Sequence, residues 1–303
     1  MIGPLLAISN SVVGARLEGV GNAGRQAVAF CVSVIEAERR VSPFGDRAIT
    51  RAPLECYSLL SGLVMSNDPF FHHPELADLI TKPEDSFFRD FSITKLASIL
   101  TDRGLPTGWW HSDEERNTMR QAALSEHRSE DLWVFAYGSL MWDPAIRFTE
   151  VRRARVQGYQ RRFILKDIHG ARGTREAPGL MAALDRGGEC EGLLFRIDRE
   201  AIETETDILW RREFVGPAYF PVFVPAQMSE GTVNALTFVA DYDAELIVPE
   251  LSRTEQLEYL VTGSGFLGDS ADYLRNIARQ FQLFGIEDAE VDALYRGMNL
   301  LVK

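Results

Sequence analysis

The chain has 303 residues, with 44 acidic and 32 basic side chains and a formal charge of −12. That balance argues against a nucleic-acid binder, which needs a Lys/Arg surplus on some face to neutralise phosphate. The one dense basic run, Arg152, Arg153, Arg155, Arg161 and Arg162, is offset by acids elsewhere. Apolar residues at 46% and charged residues at 25% are the ordinary composition of a folded protein with a sizeable core, and the length suggests one large or two modest domains.

The longest clean apolar run, residues 27–35, is too short for a hydrocarbon layer that needs about 20 such residues, so no membrane partner is expected. Residues 1–15 lack the basic start of a signal peptide, and their apolar stretch is broken by Ser9, Asn10 and Ser11. Cys31, Cys56 and Cys190 are odd in number, far apart and without a Cys-x-x-Cys pair, which suits neither a disulfide framework nor a zinc site. A cytoplasmic location is the expectation.

In chain order, residues 1–65 show no sustained period of 2 or 3.6 and are dotted with Gly, Ser and Pro. They read as an N-terminal extension, expected to be poorly ordered, with Met65 a candidate true start. Residues 66–130 read as a helical lead-in. Phe91, Ile93, Leu96, Ile99 and Leu100 predict a helix within residues 90–105, stopped by Gly104 and Pro106. A second helix over residues 113–127 has only Met119, Ala122, Ala123 and Leu124 as an apolar stripe and is expected on the surface.

From residue 131 to 303 the texture changes to short apolar runs punctuated by Gly, Pro and Asp, at residues 132–137, 151–156, 162–165, 180–184, 193–197, 220–225 and 233–239. Seven strands are predicted. A helix is expected over residues 199–214, ended by Gly216 and Pro217, and two more over residues 269–283 and 287–301. Sequential strands with few long crossovers predict a mixed barrel-like α+β domain with flanking helices.

The chemistry begins with exclusions. His72, His73, His111, His127 and His169 form no metal-ligand spacing with one another or with the cysteines, so no metal is expected. Phosphate-cradling glycine loops are absent, Gly187-Gly188 reading as a turn, and Ser139 lacks the Gly-x-Ser-x-Gly frame of a hydrolase nucleophile. Neither cofactor nor nucleotide is expected.

Two constellations remain. In Phe135-Ala136-Tyr137-Gly138-Ser139-Leu140 a strand runs into a tight turn whose consecutive N–H groups suit a carboxylate or a developing oxyanion; a turn with no ligand is the plain alternative. In Trp210-Arg211-Arg212-Glu213-Phe214, partial burial of Glu213 would raise its pKa toward a general base's range. Arg212 would oppose that rise, and an exposed Arg/Glu face is the alternative.

Taken together and in order, these segments resemble the ChaC family of glutathione-specific γ-glutamylcyclotransferases. Residues from Val134 through Trp142 with Pro144 are similar to the family's signature loop. Gly158-Tyr159 with Arg161 and Phe163 follows, then Arg172-Gly173-Thr174, Pro178-Gly179-Leu180 and Gly187-Gly188 before Gly192. Leu209-Trp210 through Glu213, with Tyr219 and Pro221, matches the segment holding the family's catalytic acid, and Gly263-Ser264-Gly265 to Leu274 resembles its C-terminal helix entry. One departure is Pro217, where the family often has Gly two residues before the tyrosine matching Tyr219.

The resemblance implies a γ-glutamylcyclotransferase fold over residues 131–303 and an intramolecular reaction without cofactor or metal. The α-amine of glutathione would attack its own γ-amide carbonyl, releasing 5-oxoproline and cysteinylglycine. Glu213 is implied as catalytic acid–base, and Val134, Phe135, Ala136, Tyr137, Gly138, Ser139, Leu140 and Tyr273 as substrate-binding. For Tyr273 a core aromatic on an amphipathic helix is the alternative. Arg161, Arg172 and Arg212 are equal candidates for the glycine carboxylate. Other γ-glutamyl amides as substrates, or a non-catalytic binding role, are the competing readings.

Overall fold

The computed structural model describes residues 68–301, so the extension expected over residues 1–65, with Met65, lies outside the described residues. From Pro69 onward the chain packs as one unit.

Its centre is a closed five-stranded barrel in the order β1-β3-β2-β4-β5. The strands are β1 (Leu132–Ala136), β2 (Glu150–His169), β3 (Thr174–Ile197), β4 (Tyr219–Met228) and β5 (Gly231–Ala240). Neighbours in that order run antiparallel, and β5 closes the barrel by lying parallel to β1, with Trp133 opposite Ala235, and to β3, with Leu184 opposite Val239, which leaves no open edge there.

The seven predicted strands are therefore five in the barrel, because two pairs merge. Gly158 (φ +82°) and Gly187-Gly188 (φ +96° and +63°) do not end strands; they form a bulge inside the β2–β3 ladder, between the pairs Gln157–Glu189 and Tyr159–Arg186. Glycine adopts these left-handed angles without the steric penalty a side chain meets, so a bulge replaces the expected turn and bends two long strands around the barrel. A separate two-stranded pair joins β6 (Ser264–Gly265) and β7 (Gly268–Asp269).

The arginine run lies on β2 and is neutralised by the fold. Arg152 pairs with Glu150 and Glu230, Arg153 with Glu75, Arg155 with Glu189 and Glu191, Arg161 with Asp288 and Arg162 with Asp185.

Six α-helices flank the barrel among the described residues: α1 (Ile93–Asp102), α2 (Asp113–Ala123), α3 (Ile202–Glu213), α4 (Arg253–Thr262), α5 (Ser270–Phe284) and α6 (Ala289–Leu301). Helix α1 ends a turn before Pro106, because Gly104 (φ +67°) lets its own N–H reach Thr101 O and the Leu105 N–H reach Leu100 O. Helix α2 also ends earlier than expected, and its inward face holds more than the apolar stripe, of which Met119 and Ala123 pack against the core and Leu124, just past the helix end, is fully buried. Arg116 and Arg120 are buried there, and Arg120 donates to Thr206 Oγ1 and to Glu203, both on α3, at 3.0 Å each. Helix α4 has no predicted counterpart, since only Gln256 and Leu260 of its residues are buried and no stripe marks it in the sequence.

The main core fills one side of the barrel and the space under α3 and α5. Trp210 stacks on Phe214 at 5.3 Å, and both meet Phe238 edge-on. Such packing fixes the end of α3, and Glu213 is the last residue of that helix.

Candidate active site

Strand β1 delivers the signature loop to one end of the barrel. Val134, Phe135 and Ala136 are buried strand residues, and the Phe135 carbonyl accepts from Thr237 Oγ1 at 3.0 Å. They anchor the loop without lining the cavity beyond it. After Tyr137 the chain turns through a single 3₁₀ turn, Ser139–Met141, closed by Met141 N–H to Gly138 O at 2.9 Å and Asp143 N–H to Ser139 O at 3.0 Å. The N–H groups of Gly138, Ser139 and Leu140 take no part in the bonds that close this turn, and all three residues line the cavity.

That cavity holds about 210 Å³ and brings the two constellations together: Tyr137, Gly138, Ser139 and Leu140 on one side, Arg212, Glu213 and Tyr219 on another, Tyr273 from α5 on a third. The hydroxyls of Tyr137 and Tyr219 are hydrogen-bonded to each other. Tyr137 also accepts from the Leu184 N–H, and Tyr273 from the Ala182 N–H. Burial pushes all three phenols upward, those of Tyr137 and Tyr219 well upward, so they stay protonated and available as donors. Pro217 does not displace Tyr219 from this cluster.

Glu213 faces two opposing influences. Burial raises its pKa, while the charge and hydrogen bond of Arg212, whose Nε lies 3.1 Å from Glu213 Oε1, lower it; the net direction is upward. Arg212 is itself only 4% exposed along its side chain. Its other nitrogens donate to Ser139 Oγ at 2.8 Å and to the Asp143 carbonyl, and its guanidinium lies 4.0 Å from the centre of the Phe88 ring. One arginine thus links the carboxylate, the signature loop and the lead-in segment. The Ser139 hydroxyl is an acceptor in this clamp.

The three candidate arginines have different surroundings. Arg161 is buried, donating to the carbonyls of Tyr137 (2.6 Å) and Glu191 (2.7 Å), paired with Asp288 and stacked on Phe281 at 4.2 Å, so it braces the loop from behind. Arg212 is occupied by the clamp. Arg172 lies 5.4 Å over the Tyr273 ring with one bond to Asp269 O at 3.3 Å.

Further residues reach the cavity that the sequence did not single out. Asp167 is buried and accepts the backbone N–H groups of His169, Arg172 and Gly173, shaping the β2–β3 turn at the rim. His169 stacks on Trp109 at 4.0 Å and 10°, and burial lowers its pKa toward the neutral form. Phe87, Phe88, Phe91 and Trp109 of the lead-in complete an aromatic wall. Among the described residues no group of three or more His, Cys, Asp or Glu is placed to hold a metal ion, and no helix is long and apolar enough to cross a membrane.

A five-stranded mixed barrel with a partly buried glutamate facing a Tyr-Gly-Ser loop defines the class, and residues 132–300 match the family described as ChaC-like protein. The chain belongs to that family. It is 34% identical over 185 residues to the glutathione-specific γ-glutamylcyclotransferase of Escherichia coli (strain K12), covering 58% of this chain and 77% of that protein. It is 28% identical over 189 residues to the mouse glutathione-specific γ-glutamylcyclotransferase 1, covering 60% and 84%. The fold is shared with a crystal structure of a glutathione-specific γ-glutamylcyclotransferase from yeast, at a TM-score of 0.52 and 19% identity, over 57% of this chain and 97% of that one.

Proposed function

We propose that the protein degrades glutathione by cyclising its γ-glutamyl group, releasing 5-oxoproline and cysteinylglycine, with Glu213 as the proton shuttle. The observation that carries this reading is the Arg212 clamp, which holds Glu213 and the Tyr137–Leu140 loop as one unit at the end of the barrel. The names of the E. coli and mouse relatives support the same substrate.

Ring closure needs no water and no activated enzyme nucleophile. The α-ammonium of the substrate is mostly protonated at neutral pH, so the ionised Glu213 carboxylate takes one proton from it. The freed amine attacks the γ-carbonyl, forming the C–N bond of a five-membered ring. The N–H groups of Gly138, Ser139 and Leu140 receive the charge that develops on the carbonyl oxygen. The amide C–N bond then breaks as Glu213 gives its proton to the departing amine of cysteinylglycine, and the freed carboxylate takes the second proton from the ring nitrogen and passes it on, so 5-oxoproline leaves as the neutral lactam and cysteinylglycine as an ammonium. Holding both ends of one molecule in a reactive conformer is worth on the order of 7–11 kcal/mol, so folding the substrate is the larger share of the work. A carboxyl whose pKa is raised by burial suits both halves of the cycle, because it is a stronger base than a free glutamate and still a stronger acid than the amine to which it returns the proton.

Tyr137, Tyr219 and Tyr273 would bind the γ-glutamyl end with their protonated hydroxyls, and Arg172 is the arginine freest to meet the glycine carboxylate. Val134, Phe135 and Ala136 act only by holding the loop. The test is direct: purified protein is incubated with reduced glutathione, and both products are quantified by mass spectrometry beside Glu213→Gln. Equimolar products, lost in the variant, are expected; no 5-oxoproline from the wild-type protein would reject the reading.

A further inference from the structure

Residues 82–111 lie outside the segment that matches the family, yet they supply a whole side of the cavity. Exposure grades from floor to mouth. Tyr137 and Tyr273 at the floor are 6% and 7% exposed, while Phe87 at the rim is 47% exposed. The reacting end of a γ-glutamyl substrate has to sit at the floor, where the carboxylate of Glu213 and the loop N–H groups are. Its leaving group therefore projects along the aromatic wall toward the rim.

The wall is fixed in place without a ligand. The Phe88 ring is held under the Arg212 guanidinium at 4.0 Å. Trp109 is held by its stack on His169, by its Nε1 donation to Pro106 O at 3.1 Å, and by Gly216, where an added Cβ would come within 3.0 Å of its ring. The Phe91 carbonyl accepts from Arg211 at 2.6 Å. The wall itself presents rings and no charge. Aromatic surfaces of this kind favour apolar and sulfur-bearing groups, and sulfur sits well against ring edges.

Resting on the cyclotransferase reading, we propose that the lead-in segment forms a leaving-group subsite for an apolar, sulfur-bearing side chain, so that S-alkyl thioethers of glutathione are substrates alongside the free thiol. The chemical step is the same: the ring C–N bond forms, the γ-amide C–N bond breaks, two protons pass in turn from the α-ammonium to the leaving amine, and the thioether is untouched.

The experiment compares kcat/KM for 5-oxoproline release from glutathione, S-methylglutathione and S-propylglutathione. Each fully buried methylene is worth roughly a fourfold gain in transition-state binding, so the propyl-to-methyl ratio should lie between about 4 and 16. In Phe87→Ala, a substitution at an exposed ring that leaves the fold intact, the ratio should fall at least about threefold. Phe71→Ala, at a ring 40% exposed and outside the cavity, should keep the wild-type ratio. Turnover of glutathione without turnover of either thioether, or a ratio indifferent to Phe87→Ala, would overturn this inference and leave the cyclotransferase reading standing. Absence of 5-oxoproline from all three would overturn both.

Discussion

The two walls of the cavity are built by different means. One wall, made by the barrel with the end of α3 and with α5, carries every polar group proposed for the chemistry: the loop is set by strand ladders, with β1 paired on both sides and Arg161 bracing the Tyr137 carbonyl from behind, while Glu213 and Tyr273 come from helices packed on the barrel. The lead-in wall carries rings, and it is attached by a few specific links to α3 and the loop after it. Arg89 forms a two-pronged pair with Glu205, Arg211 and Arg212 reach Phe91 O and the Phe88 ring, and the His111 N–H donates to Val215 O at 2.9 Å. The groups proposed for the chemistry sit on the barrel and the helices packed against it, and the proposed selectivity sits on a segment that is tied on. Substitutions in the barrel wall should therefore strike kcat, and substitutions in the lead-in should strike leaving-group preference and local stability.

The largest effect is expected at Glu213. Glu213→Gln keeps the shape and removes the base, and kcat for glutathione should fall about 100- to 10,000-fold. Stability should move the other way at neutral pH. The folded pKa of Glu213 is raised above its unfolded value, so the native state binds more protons between the two. Its contribution is then fully present below the unfolded pKa and is lost as pH rises through the folded one. Gln cannot ionise, so the variant should gain melting temperature relative to wild type as pH rises through that window. A variant that lost activity and stability together at neutral pH would mean that Glu213 is a structural ion-pair partner.

Next comes the attachment of the lead-in. Glu205 is buried, pairs with Arg89 and accepts the Arg147 N–H at 2.8 Å. Removing one partner of a buried pair strands the other, typically at about 3–5 kcal/mol. Glu205→Ala should lower stability by that order in urea unfolding and expose residues 82–111 to limited proteolysis. Unchanged proteolysis there would show that the rings alone hold the lead-in.

The pH profile separates the two roles of Arg212. The guanidinium lowers the pKa of Glu213 against burial, so activity should fall on the acid side with a midpoint above the ordinary glutamate range. Arg212→Gln removes the opposing charge and should move that midpoint to higher pH. A midpoint that stayed put while kcat dropped would assign Arg212 to holding Ser139 alone.

Much of the barrel wall was legible in the sequence because its signals are local. Glu213 stands at the end of a helical pattern between large apolar residues, and the Tyr-Gly-Ser turn follows directly from a strand. The strand count was not, because Gly158 and Gly187-Gly188 carry the same residue types whether they reverse a chain or bulge it, and only the pairing across β2 and β3 decides. Helix α4 left no stripe because its buried positions are a Gln and a Leu. The lead-in rings were visible as residues and not as a wall. Phe88 meets Arg212 across more than a hundred residues of chain, and no periodicity within either segment encodes that contact.

The smallest expected effect tests whether the two regions unfold together. Helix α2 in the lead-in and α4 beside the barrel begin with the same reciprocal cap: Ser112 accepts from the Glu115 N–H while Glu115 accepts from the Ser112 N–H at 2.7 Å, and Ser252 and Glu255 repeat the arrangement at 2.8 Å. Replacing either serine by alanine removes one cap, worth about 1 kcal/mol. If the links to α3 make the lead-in part of one cooperative unit, Ser112→Ala and Ser252→Ala should each lower the single melting transition by about 2–4 °C. If the lead-in opens separately, Ser252→Ala should shift the main transition while Ser112→Ala leaves it in place and speeds amide exchange only around α2. The caps are matched in chemistry and both are exposed, so any difference between the two variants reports the region that holds the cap.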